Sequence, residues 1–184
     1  LRDKGVEPIV HVTTRDRNLL GIQADLLGMH TLGIRNLLVT TGDPSKLGDY
    51  PDSTTVYDLD SVGLLRLISD LNRGIEPSGR SIGSQTSFVK GSGVEPGAPN
   101  FEKEIEKLFK KVEAGADFIM TQPIFDYVTM ERFLAATKDI KVPLLMGVWP
   151  LASYRNAEFM NNEVPGVHIP DTVMARMKIA NKGP

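Results

Sequence analysis

An α/β fold built on a parallel sheet is what this sequence of 184 residues predicts, and three observations predict it. Short apolar runs alternate with helical patterns along the chain. The runs are near-continuously apolar, as strands covered on both faces require. Each run then stops in polar or turn-forming residues before its helix begins.

The runs come in order as Pro8-Ile-Val-His-Val12, Leu37-Leu-Val-Thr-Thr41, Thr86-Ser-Phe-Val89, Phe118-Ile-Met-Thr121 and Pro143-Leu-Leu-Met-Gly-Val148. Between the first two, Asn18 is placed to cap a helix ending at Gly33, with Leu19, Ile22, Leu26, Leu27 and Met29 as its apolar positions. Asp60 or Ser61 starts a second helix, which runs to Gly74 with Val62, Leu65, Ile68 and Leu71 on one face. The third runs from Asn100 to Gly115: Phe101, Ile105, Leu108, Phe109 and Val112 form its apolar stripe, and Glu102, Lys103, Glu106, Lys107 and Lys110 cover the other side. A fourth covers Val128 to Lys138, and shorter helices follow Ser153 and Pro170. The segments Pro44–Thr55 and Gly91–Pro99 read as long loops rich in Gly, Pro, Ser and Asp, and long loops in compact α/β domains are commonly functional.

A βαβα alternation allows a doubly wound sheet or a closed barrel. The strand ends favour the barrel. His11-Val-Thr-Thr-Arg-Asp-Arg17, Thr40-Thr-Gly-Asp-Pro44, Thr121-Gln-Pro123 and Trp149-Pro150 each place polar or turn residues at the same end of a run. A barrel gathers all such ends on one rim, whereas an open sheet collects ligands at a single switch point.

Composition narrows the function. A formal net charge of −2 lacks the positive excess of a nucleic-acid binder, and no apolar run approaches the ~20 residues of a membrane span. With no cysteine, disulfides and thiolate metal sites are impossible, which fits a reducing compartment; the expectation is a cytoplasmic protein. His30 and His168 have no partner at ligand spacing, so a metal is not expected. No G-x-G-x-x-G, P-loop or G-x-S-x-G motif occurs. Several features also have plain structural readings. Thr-Gly-Asp after a strand makes a turn with a helix cap, His11 inside an apolar run reads as a hydrogen-bonded core histidine, Arg15 and Arg17 read as solvated, and the Glu/Lys pattern on the third helix reads as a solvent face.

The stretches His11-Val-Thr-Thr-Arg-Asp-Arg-Asn18, Gly33-Ile-Arg-Asn-Leu-Leu-Val-Thr-Thr-Gly-Asp43 and Lys110-Lys-Val-Glu-Ala-Gly-Ala-Asp117, with Phe-Ile-Met-Thr-Gln-Pro-Ile-Phe-Asp126 after the last, resemble methylenetetrahydrofolate reductases. Gly42-Asp-Pro-Ser-Lys-Leu-Gly-Asp-Tyr-Pro51 looks most like the reductase half of bifunctional homocysteine S-methyltransferase/methylenetetrahydrofolate reductases. The resemblance implies a (β/α)8 barrel of which residues 1–184 are a single partial domain, about strands three to seven. It implies FAD, reduced by NADH or NADPH, passing a hydride to 5,10-methylenetetrahydrofolate. Carried over by position, His11, Thr41, Gly42 and Asp43 contact the flavin, and Tyr57 and Asp58 lie near its ribityl or adenosine part. Ala98, Glu104, Lys107, Lys110 and Lys111 fall where the family binds the FAD phosphates and adenosine; Gln122 orients the pterin, and Asn156 helps hold the folate. Asp43 is the one residue of this chain expected to act catalytically.

The same resemblance places a catalytic glutamate on a first strand ahead of Leu1, so the chain alone is expected to be inactive and to bind flavin weakly. A homo-oligomer and a fused homocysteine S-methyltransferase domain are compatible with it. Where many relatives carry an aromatic residue and a histidine after the third run, this chain has Gly91 and Glu95. Two rival readings remain: a flavin-free barrel aldolase or lyase, whose Schiff-base lysine would be Lys90, and a non-catalytic folate-binding domain.

Overall fold

A computed structural model of the chain describes residues 4–164 and 166–180. Five strands, β1 (Ile9–Thr13), β2 (Asn36–Thr40), β3 (Val89–Val94), β4 (Phe118–Pro123) and β5 (Leu144–Gly147), alternate with helices α1 (Leu19–Thr31), α2 (Ser61–Asn72), α3 (Phe101–Glu113), α4 (Tyr127–Ala136) and α5 (Tyr154–Glu163); α6 (Asp171–Ala180) follows. The sheet order is β1-β2-β3-β4-β5. A doubly wound sheet reverses its order at a switch point. This one never does, as in a segment of a (β/α)8 barrel.

The helices begin where the sequence supplies a cap. Asn18, Asp60, Asp126 and Ser153 each accept a backbone N–H from the first turn of the helix that follows, which satisfies one of the donors a helix start leaves open. Gly33, Gly74 and Gly115 follow α1, α2 and α3 in left-handed conformation, where a β-carbon would be strained.

By packing, the chain divides into two compact units: the chain up to Gly93 with Lys110–Phe118, and Val94–Phe109 with the chain from Ile119. In the first, β1 pairs parallel with β2, and β2 with β3. Its core is Leu37, Leu38 and Val39 of β2, Ile22 and Leu26 of α1, and Val62, Leu64, Leu65, Leu67, Ile68 and Leu71 of α2. Each such side chain contributes about 1.5–3 kcal/mol relative to exposure. In the second, β4 and β5 pair parallel, and Ala157, Met160, Val167 and Ile169 form a cluster against which Phe125, Leu151 and Met174 pack.

The third strand lies three residues beyond its expected start. Thr86-Ser-Phe-Val89 is mostly the approach to it, and Gly91 to Val94, expected as loop, are strand. Phe88 is buried, but Asn72 of α2 holds it outside the ladder, accepting its N–H at 2.9 Å and donating to its carbonyl at 2.8 Å. The ladder starts one residue on, where Val89 pairs with Asn36. Phe109, expected in the apolar stripe of α3, is 41 % exposed, while Phe101 and Leu108 are buried as expected.

Candidate active site

In the first unit β1 and β2 stop in register, Thr13 opposite Thr40, and the chains stay joined one step further. Thr14, fully buried, gives its backbone N–H (3.3 Å) and its hydroxyl (3.2 Å) to the Thr41 carbonyl. The Thr41 hydroxyl accepts the Ser61 N–H at 3.3 Å, which ties the start of α2 to the strand end. Gly42 then adopts φ +90°, and a β-carbon there would stand 3.2 Å from the β-carbons of Thr13 and Arg15. Only glycine makes this turn without strain.

Asp43 comes next. It is exposed, and its carboxylate takes no hydrogen bond from any described residue. Its carbonyl oxygen, in contrast, is held by two donors from elsewhere: Arg15 Nη1 at 2.8 Å and the Tyr57 hydroxyl at 3.5 Å. Tyr57 is the one non-glycine among the described residues with positive φ, 49°. That conformation costs on the order of 1–2 kcal/mol, and it is held in place by the Val56 N–H, 2.8 Å from the Arg15 carbonyl. Asp58 accepts the Leu19 N–H at 3.0 Å. The Asp16 carboxyl lies below its ordinary value because Arg15 donates to it, and the Arg15 guanidinium lies above its own chiefly through the same bond.

In the second unit, β4 ends in Thr121, Gln122 and Pro123. The register with β5 shifts between Met120 and Pro123, an irregularity of the kind found beside functional sites. Gln122 lies within the shift, exposed, its amide without a described partner. Gly147 makes the close approach possible: a β-carbon there would lie 2.7 Å from the Thr121 carbonyl oxygen, and its N–H reaches Thr121 Oγ1 at 2.8 Å. Past β3, the Ala98 N–H closes a turn on the Glu95 carbonyl at 3.1 Å, and Glu95 donates its own N–H to Glu104 Oε1 at 3.1 Å. Burial pushes the Glu95 carboxyl up, and the nearby Glu104 adds to the effect. Asn156 stands in the first turn of α5, its Oδ1 accepting the Ala152 N–H at 3.4 Å.

On α3, Lys107 is half-buried and Lys110 exposed. Lys111, read from the sequence as part of a basic cluster, is 5 % exposed and donates its ammonium to the Gly93 carbonyl at 2.5 Å.

Four readings change. His11 is not a core histidine: it is exposed on β1, whose inward position is Val12. Arg15 is not simply solvated, since all three of its guanidinium nitrogens are engaged. Arg17 pairs with Asp25. Lys90, the candidate Schiff-base lysine, is the second residue of β3, far from its C-terminal end, and its buried ammonium sits 3.2 Å from Asp117 Oδ2. Gly91 also gains a reason. A β-carbon there would fall 2.2 Å from the ring of Phe118, so an aromatic ring from the next strand occupies the space a side chain at 91 would need. Among the described residues, no group of three His, Asp or Glu could hold a metal, and no helix is long and apolar enough to cross a membrane.

A family profile described as methylenetetrahydrofolate reductase matches residues 1–184. The chain belongs to the methylenetetrahydrofolate reductase family. It is 26 % identical to a probable methylenetetrahydrofolate reductase (NADPH) of Caenorhabditis elegans, over 88 % of this chain and 24 % of that protein. It is 28 % identical to methylenetetrahydrofolate reductase 1 of Schizosaccharomyces pombe, over 94 % of this chain and 28 % of that one. With the 5,10-methylenetetrahydrofolate reductase of Salmonella typhimurium it shares 25 % over 84 % of this chain and 47 % of that protein. The chain thus spans about a quarter to a half of the family members it matches. A crystal structure of 2,3-dimethylmalate lyase covers 95 % of this chain and 66 % of that one at 13 % identity and TM-score 0.46, too slight a likeness to bear on the reaction.

Proposed function

We propose that this chain forms part of a flavin-dependent reductase acting on 5,10-methylenetetrahydrofolate, with Asp43 as its principal acting group. The observation that carries the reading is the contrast at Asp43: a carboxylate that accepts no hydrogen bond from a described residue, on a backbone held by two donors. The Asp43 carboxylate is exposed, so a ligand can reach it without breaking a protein hydrogen bond, and its fixed backbone presets it for that contact. The donor set fits FAD. Exposed His11 and the Thr41-Gly42-Asp43 turn, with Tyr57 and Asp58 after it, offer the mixed donors and acceptors that a flavin ring and ribityl chain need. Ala98, Glu104, Lys107 and Lys110 are assigned to its phosphates and adenosine, while Lys111, buried with its ammonium on the Gly93 carbonyl, braces β3 instead.

Bound flavin supplies the two-electron chemistry, by which a hydride from NADH or NADPH reaches the one-carbon bridge of the folate and leaves 5-methyltetrahydrofolate. Relatives named for NADPH and for NADH support a pyridine nucleotide as reductant. The Asp43 carboxylate stabilises positive charge on the folate as its bridge opens, and it does so from a preset position. Gln122 presents both a donor and an acceptor to the pterin edge, and Asn156 steadies the folate. The buried Lys90 ammonium, paired with the more exposed Asp117, speaks against the aldolase alternative, which needs an accessible neutral amine.

The natural full-length protein should purify with the visible absorption of oxidised flavin. Asp43→Asn should slow reoxidation of the reduced flavin by folate on the order of 10²-fold, with reduction by NAD(P)H changed far less. A colourless protein, or an Asp43→Asn variant with unimpaired folate turnover, overturns the reading.

A further inference from the structure

We propose that Arg15 is a positioning residue for Asp43, aimed by Asp16 and acting through the Asp43 carbonyl; the inference rests on the role just assigned to Asp43. A guanidinium is a rigid planar fork. Arg15 places Nε on Asp16 Oδ1 at 2.6 Å and Nη2 on Asp16 Oδ2 at 3.0 Å, and two parallel bonds to one carboxylate fix its plane. The remaining nitrogen, Nη1, then has one direction in which to donate, and 2.8 Å along it lies the Asp43 carbonyl oxygen.

The contact spans 28 residues of sequence and sits on a backbone with little room to move. The Arg15 carbonyl receives the Val56 N–H, and the Arg15 β-carbon lies against the space above Gly42. With the carbonyl fixed and Gly42 set in its left-handed turn, the Cα–Cβ direction of Asp43 is fixed too. Arg15 interacts electrostatically with both Asp16 and Asp43, the Asp16 interaction being the larger.

Magnitudes separate this role from a structural one. Arg15 and Asp16 are partly exposed, and pairs of that kind contribute little to stability. A catalytic group displaced by about 1 Å, in contrast, costs on the order of 10²-fold in rate. Losing Arg15 should therefore hurt the reaction far more than the fold.

The test uses the natural full-length holoenzyme and follows the two half-reactions separately by flavin absorbance. Arg15→Ala should slow reoxidation by methylenetetrahydrofolate ~10–100-fold, leave reduction by NAD(P)H within about threefold, and keep flavin content and Tm near wild type. Arg15→Lys, which cannot hold Asp16 with two parallel bonds and reach the carbonyl at once, should rescue little, and Asp16→Asn should fall between. In an Asp43→Asn background, Arg15→Ala should add almost nothing, because both changes act through one group. If Asp43→Asn slows the folate step and Arg15→Ala does not, the positioning role is wrong and the reading of Asp43 stands; if Asp43→Asn is silent, that reading fails first. Equal losses in both half-reactions, with loss of flavin or of Tm, mark Arg15 as merely structural. Should Arg15→Ala not fold, Arg15→Lys and Asp16→Asn decide the matter by the same split.

Discussion

Glu95 shows what a single residue records. Its carboxyl is raised above the ordinary value by burial first and by Glu104 second, so the folded chain holds that proton more tightly than the unfolded chain does. Stability then declines as pH rises from the ordinary glutamate range to the raised folded value, and above it the penalty is constant. Glu95→Gln should remove this slope, raising Tm by ~1–3 °C at neutral pH, with the gain shrinking as pH drops below the ordinary value. Thermal melts of both proteins across acid to neutral pH check it, and a gain that grows in acid would contradict the assignment. Legibility at this scale was uneven. The placement of Asp43 and Gln122 just past strand runs is legible in the sequence, while the roles given to them come from the family resemblance. No spacing rule encodes the bond from Arg15 to the Asp43 carbonyl, which joins two strand ends 28 residues apart, or the left-handed Tyr57, which arises where the chain returns over a long loop. His11 was misread because its run is apolar throughout, and such a run does not say which positions face inward.

Elements were easier to read than contacts, and capping explains why. Asp60 accepts the Gly63 N–H at 2.7 Å and starts a helix with seven buried residues. Asp60→Ala should therefore cost about 1 kcal/mol in a urea titration, with Asp60→Asn near neutral; equal losses from both would point to charge rather than capping. Four of the five strands lie within a residue or two of their apolar runs. The third does not, since Lys90-Gly-Ser-Gly93 has no strand-like composition. What makes it a strand is tertiary: the Phe118 ring fills the space over Gly91, Ser92 Oγ donates to the Val39 carbonyl at 2.8 Å, and Lys90 meets Asp117. Phe109 fails for the opposite reason, having the right spacing but only partial cover from its neighbours.

For the molecule as a whole, the strand ends favour the barrel-type order, and open borders follow from a partial barrel. Among the described residues, β1 pairs only with β2 and β5 only with β4. Ile9 is 42 % and Val148 81 % exposed near those borders. Unpaired edges invite association, so the 184-residue chain studied alone should form concentration-dependent multimers in sedimentation velocity, and Ile9→Lys should reduce them. A strictly monomeric wild-type chain at high concentration would sink that expectation. A last consequence concerns the Pro44–Thr55 segment. It leaves from Asp43 and comes back at Val56 and Tyr57, which bond to Arg15 and to Asp43 itself. Departure and arrival are thus stapled to one spot, whatever lies between. Closing such an excursion costs only ~0.6 kcal/mol more for each doubling of its length, so residues can be added or deleted within it while the carboxylate at its root stays where it is.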